Sequence, residues 1–112
     1  MASAAGHRGL PGLGAYCAAK HACVGFVRGL AADLRGTGIT ANVVSPGSTE
    51  TVMLSRTAEL YKLDGLDDFA RQALLERLLS PDEIAAAVAW LCSPESSALT
   101  GSVVSADGGL TT

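Results

Sequence analysis

A chain of 112 residues is at most one small domain. Apolar residues make up 48% but aromatics only 4%, so the core must be built from Ala, Val and Leu, and 17% charged residues leave little to cover the outside. A net charge of -3 without a basic block argues against nucleic acid as a partner, no apolar run reaches the roughly 18 residues of a membrane span, and Met1-Ala2-Ser3-Ala4-Ala5 is no secretory signal.

Residues 1–14 hold four glycines and a proline and read as a loop. From about Ala15 to Leu34 the pattern becomes helical, with Tyr16, Cys23, Val27, Leu30 and Leu34 as the apolar stripe and Gly36 and Gly38 ending it. Gly25 and Gly29 inside this helix either simply weaken it or admit the close approach of another helix or subunit. Near its head, Tyr16 and Lys20 are four apart and therefore share one face. An ammonium beside a phenol favours the phenolate, which lets the hydroxyl exchange a proton nearer neutral pH. A lone pair of this kind is as readily a half-buried tyrosine beside a solvated lysine.

Ile39-Thr40-Ala41-Asn42-Val43-Val44 is β-branched and nearly unbroken, as in a buried parallel strand stopped by Pro46-Gly47. Ligands of open α/β sheets sit beyond such strand ends. Residues 51–79 predict two short helices broken near Asp64-Gly65. Ser80-Pro81-Asp82-Glu83 is a strong helix start with a capping box, and the helix it opens, to about Cys92, is apolar on much of its circumference and expected to be buried. Ser102-Val103-Val104-Ser105 is the last strand, and Asp107-Gly108-Gly109 reads as a turn.

Cys17, Cys23 and Cys92 show no C-x-x-C spacing and read as reduced thiols of a cytoplasmic protein, with Cys23 and Cys92 filling core. Cys17 adjoins Tyr16, but its side chain should point elsewhere. His7 and His21 lack thiol or carboxylate partners at ligand spacing, so no metal site is expected.

Ser3, Tyr16-Cys17-Ala18-Ala19-Lys20, Asn42-Val43-Val44-Ser45-Pro46-Gly47-Ser48-Thr49-Glu50-Thr51 and Thr100-Gly101 through Gly109 occur in the order S…Y-x-x-x-K, N-V-x-x-P-G-x-x-x-T, T-G-x-x-x-x-x-D-G-G. In that register the whole chain closely resembles the C-terminal half of a short-chain dehydrogenase/reductase. The resemblance implies an α/β fold, the C-terminal part of a Rossmann-like doubly wound parallel sheet. Residues 1–14 become an active-site loop, 15–50 the catalytic helix, strand and Pro-Gly loop, 51–79 the substrate lid, and 80–112 the last helix, strand and turn. It also implies an oxidoreductase interconverting an alcohol and a ketone with NAD or NADP. Tyr16 would be the general acid/base, Lys20 would hold the nicotinamide ribose and favour the deprotonated tyrosine, and Ser3 would orient the substrate oxygen. Pro46 and Gly47 would lie along the nicotinamide, with Thr49 and Thr51 bonding the carboxamide and nearby phosphate. Thr51 also suits the N-cap of the lid helix, and Ser48 and Glu50 read as solvated loop residues.

Some of the family's pattern is absent. Y-C-A-A-K stands where Y-x-A-S-K is usual, a mild change. The Gly-rich pyrophosphate turn, the residue that selects NAD or NADP, the upstream asparagine and five strands have no counterpart, which reads as a truncation just before the serine. On this reading the strand from Ile39 exposes an edge, the isolated chain is marginally stable and oligomeric or aggregation-prone, and it is inactive alone. The alternative is a non-catalytic fragment serving as an oligomerisation or interaction module.

Overall fold

Asn42 ties the two strands of the sheet together at their starts. Its side-chain amide donates to the Leu99 carbonyl at 2.8 Å and its oxygen accepts from Ser102 N–H at 3.1 Å. In the computed structural model, which describes residues 1–112, strand β1 (Val43–Pro46) then runs parallel to β2 (Val103–Ala106), in register from Val43 opposite Val103 to Pro46 opposite Ala106. The expected strand over residues 39–44 is therefore displaced. Ile39 is 61% exposed, and pairing begins only beyond Asn42, so β-branched composition alone misplaced the start. On the side of β1 away from β2, Ala2 N–H donates to Val44 O at 2.8 Å, the one backbone bond there in a sheet of two strands.

The chain has four helices, α1 (Gly14–Asp33), α2 (Val52–Tyr61), α3 (Asp67–Ala70) and α4 (Pro81–Leu91), with 3-10 turns at Ala4–Gly6 and Pro94–Ser96. The two faces of β1 are covered by different helices, because alternate residues of a strand point to opposite sides. Val43 packs with Ala2 and with Val24 of α1, and Val44 packs with Leu79 and with Ile84 of α4. A third small cluster joins Ala4, Ala73 and Leu110. None of the helices is long and apolar enough to cross a membrane.

Helix α4 starts as its sequence dictates. Ser80 Oγ accepts from Glu83 N–H, the Glu83 carboxylate accepts from Ser80 N–H at 2.8 Å, and Pro81 occupies the first turn. The Arg77 guanidinium, bonded to both Glu83 oxygens, and the Ser80 N–H hold the Glu83 carboxyl down at about 2.

Burial departs from the sequence reading in several places. The buried residues of α1 are Cys17 and Val24, with Cys23 and Val27 alongside, and Leu30 is 38% exposed. The stripe is rotated because the 3-10 turn at Ala4–Gly6 presses on the side of the helix that carries Cys17 and Val24. In α4 only Ile84 is fully buried, Trp90 is 46% exposed, and Cys92 lies at the surface. A Cβ on Gly25 or Gly29 meets nothing within 4 Å, so no close approach occurs there within the chain. Only 17 of 112 residues are buried. The radius of gyration of 15.0 Å exceeds the roughly 13 Å of a compact domain this long, which leaves broad apolar helix faces uncovered.

Candidate active site

The first turns of α1 carry Tyr16 and Lys20, both half-buried, with Lys20 Nζ 5.4 Å from the centre of the Tyr16 ring. That spacing lies within cation–π range, so the ammonium is held over the phenol by the helix itself. Cys17 points away into the core, as expected.

Ser3 reaches the same helix through the 3-10 turn. It is the N-cap of Ala4–Gly6, and its Oγ accepts from Ala5 N–H at 3.2 Å, which leaves the hydroxyl proton to donate elsewhere. A Cβ at Gly6 would sit 3.0 Å from the Lys20 carbonyl oxygen, so the turn lies against the backbone of the helical turn that bears the lysine. The backbone bond from Ala2 to Val44 sets Ser3 beside the carboxyl half of β1. No hydrogen bond joins Ser3 to Tyr16; the turn that Ser3 caps packs against the helix that carries Tyr16.

Beyond β1, Gly47 N–H donates to Ala106 O at 3.1 Å, and Thr49 Oγ1 donates back to Gly47 O at 3.1 Å. Thr51 caps α2 by accepting from Leu54 N–H at 3.3 Å and donates to Thr49 O. Both threonine hydroxyls are thus engaged within the loop. Glu50 N–H donates to Leu79 O and Leu79 N–H to Ser48 O, each at 2.9 Å, in a parallel bridge that turns Thr49's own N–H the other way. The same bridge fastens the far end of the 51–79 segment to its beginning. Its other anchors are Leu75 N–H to Gly108 O and the Tyr61 hydroxyl to Pro11 O. Open surface depressions lie elsewhere, one along Lys62–Gly65 and one beside Leu34 and Gly36.

Two contacts near the site escape a reading of the sequence. His7 Nε2 lies 2.8 Å from Ser45 Oγ, and Arg8 Nη1 donates to Leu110 O at 2.8 Å. The only signal for the first is a serine inside an apolar strand, which needs a partner once buried.

Residues that would face a nicotinamide cofactor are those of this cluster. Tyr16 and Lys20 keep their polar ends at the surface of α1, and the loop from Pro46 to Thr51 crosses the carboxyl end of β1, so the donor set fits the nicotinamide and ribose portion of such a molecule.

The chain is similar to known proteins along nearly its whole length. A family model described as enoyl-(acyl carrier protein) reductase matches residues 1–111. The 2,5-dichloro-2,5-cyclohexadiene-1,4-diol dehydrogenase of Sphingobium indicum is 42% identical over 111 residues, covering 98% of this chain and 44% of that protein. The short-chain reductase protein NovJ of Streptomyces niveus is 40% identical over 91% of this chain and 40% of its own. Among solved structures, an actinorhodin polyketide ketoreductase variant with NADPH superposes with a TM-score of 0.92 at 34% identity, over 99% of this chain and 45% of that one. A short-chain dehydrogenase/reductase from Brucella melitensis gives 0.87 at 37% identity, over 99% and 43%. The chain thus spans less than half the length of these relatives. By the family match along nearly its whole length and by its fold, the chain belongs to the short-chain dehydrogenase/reductase family.

Proposed function

We propose that this chain supplies the catalytic and substrate-binding half of an NAD(P)-dependent oxidoreductase that interconverts a small-molecule alcohol and ketone. The observation that carries the proposal is the Tyr16–Lys20 pair on α1, ammonium over phenol at 5.4 Å. When bound, the nicotinamide supplies or accepts the hydride. Tyr16 Oη gives a proton to the substrate oxygen in reduction and takes it back in oxidation. Lys20, with its ammonium over the Tyr16 ring, holds the ribose hydroxyls. Ser3 donates its free O–H to the same substrate oxygen, where charge builds as the carbonyl is reduced. Pro46 and Gly47 shape the floor, Thr49 presents its N–H, Thr51 caps α2 beside it, and residues 51–79 form the lid. The family membership supports reading the protein as a cytoplasmic homo-oligomer acting without nucleic acid or membrane.

The test is to screen the purified gene product with NADH and NADPH against ketones and alcohols, beside its Tyr16→Phe variant. Turnover lost in the variant supports the reading, and equal turnover in both excludes Tyr16 as the acid/base.

A second reading rests on the uncovered apolar surface: Phe26 is 70%, Leu74 72% and Trp90 46% exposed. On this reading the chain is a non-catalytic interaction module, which associates with a partner copy yet shows no change in cofactor fluorescence on mixing.

A further inference from the structure

We propose that His7 is a positioning residue that holds Ser3 against the Tyr16–Lys20 face of α1 through its hydrogen bond to the buried Ser45; the proposal rests on the role given to Ser3 above. Ser45 lies inside β1, opposite Ser105 of β2, and is 0% exposed. A hydroxyl so placed must be hydrogen-bonded, and His7 Nε2 at 2.8 Å is the side-chain partner it has. Either tautomer of the imidazole keeps the bond, since the serine hydroxyl donates to a bare Nε2 or accepts from Nε2–H.

The consequence lies in where His7 sits. It is the C-cap of the 3-10 turn whose N-cap is Ser3. Ala4 of that short turn packs with Ala73 and Leu110, and three further contacts tie the turn to β1 and α1. Ahead of it, Ala2 N–H bonds Val44 O at 2.8 Å. At its last residue, Gly6 abuts the Lys20 carbonyl. Behind it, His7 bonds Ser45, the next residue of β1 after Val44. The residues flanking the turn are thus pinned to consecutive residues of one strand, and its last residue is pressed on the helix that bears the lysine. Without the His7 tie the end of the turn is held only by the packing of Ala4 and Gly6, and the turn gains room to shift about the Ala2–Val44 bond. Ser3 Oγ then shifts relative to Tyr16, and its own cap to Ala5 N–H loosens with it.

Hydrogen exchange at the Ala5 amide, followed by NMR in the protein carrying this chain, reads that movement directly. Ser45→Ala removes the tie without leaving a buried hydroxyl unpaired, and His7→Ala removes it from the other side. Each is expected to speed Ala5 exchange about tenfold while the centre of α1 exchanges as before. The double variant should add little, because both changes delete one interaction. In turnover, kcat should fall in both variants with the KM for the nicotinamide cofactor unchanged. Wild-type exchange at Ala5 in Ser45→Ala, or effects that multiply in the double variant, would overturn the proposal. Should His7→Ala fail to fold, Ser45→Ala alone decides it. If the wild-type protein transfers no hydride, the role of Ser3 falls, and the exchange rates still judge the tie.

Discussion

Gly47 lies so close to Asp107 that a Cβ on the glycine would fall 2.6 Å from the aspartate's carbonyl oxygen and 2.7 Å from its Cα. The loop after β1 and the turn after β2 are therefore seated backbone against backbone. Asp107 is itself buried, with its carboxylate accepting from Gly109 N–H, Thr111 N–H and the Thr111 hydroxyl. Gly47→Ala should force these segments apart and cost about 3 kcal/mol, read as a lower denaturant midpoint at an unchanged slope. An alanine variant as stable as the parent would mean that the two turns part easily.

Tyr16→Phe should lower kcat by roughly 10²–10⁴-fold, the range expected for loss of a general acid/base. Stability should change by no more than about 0.5 kcal/mol, because the half-buried ring and its place under Lys20 survive. Turnover and thermal melting on the same preparation separate the two effects.

Acid should loosen the start of α4. Glu83 is held at about 2 in the folded chain against an ordinary 4.5. Because its folded value is the lower one, its contribution is complete above pH 4.5 and fades as pH falls toward about 2. Glu83→Gln should remove that pH-dependent component, and high salt should weaken it, since the Arg77–Glu83 pair is solvent-exposed. Amide exchange at residues 81–84 across that pH window is the measurement.

Tyr61→Phe deletes the hydroxyl bonded to Pro11 O but keeps the ring beside Phe69, 6.4 Å between centroids. The expected cost is about 1 kcal/mol, with faster amide exchange in α2 and around Gly12. Unchanged exchange in α2 would show that the Leu79 bridge alone holds the segment down.

The isolated chain should self-associate, because Phe26, Leu74 and Trp90 leave apolar area in water. Sedimentation of Phe26→Ser should show a shift toward monomer relative to the parent. A parent chain that is monomeric and melts sharply would contradict this.

How far the sequence could be read depended on whether a signal was local. The start of α4 was fully legible, since Ser80, Pro81 and Glu83 complete their hydrogen bonds within one turn. Tyr16 and Lys20 were legible as a pair for the same reason, and the family motifs carried the fold. The start of β1 was not, because Asn42 sets it by reaching Leu99 and Ser102, far along the chain. The buried side of α1 was likewise decided by a turn that carries no periodicity of its own. His7 and Ser45 lay beyond reach: each looks unremarkable until folding places one against the other.

The neighbours of β1 have a kinetic meaning. On one side it is met by Ala2, with all of α1 between them, and on the other by β2, with α2, α3 and α4 between them. No hairpin offers a short route to either pairing, so each rung of the sheet must wait for a long loop to close. The helices can form early by local contacts, whereas the strands come last. Until they do, Val43, Val44 and the apolar sides of α1 and α4 remain in water together, and that waiting interval is when the chain is most exposed to chaperones, proteases and copies of itself.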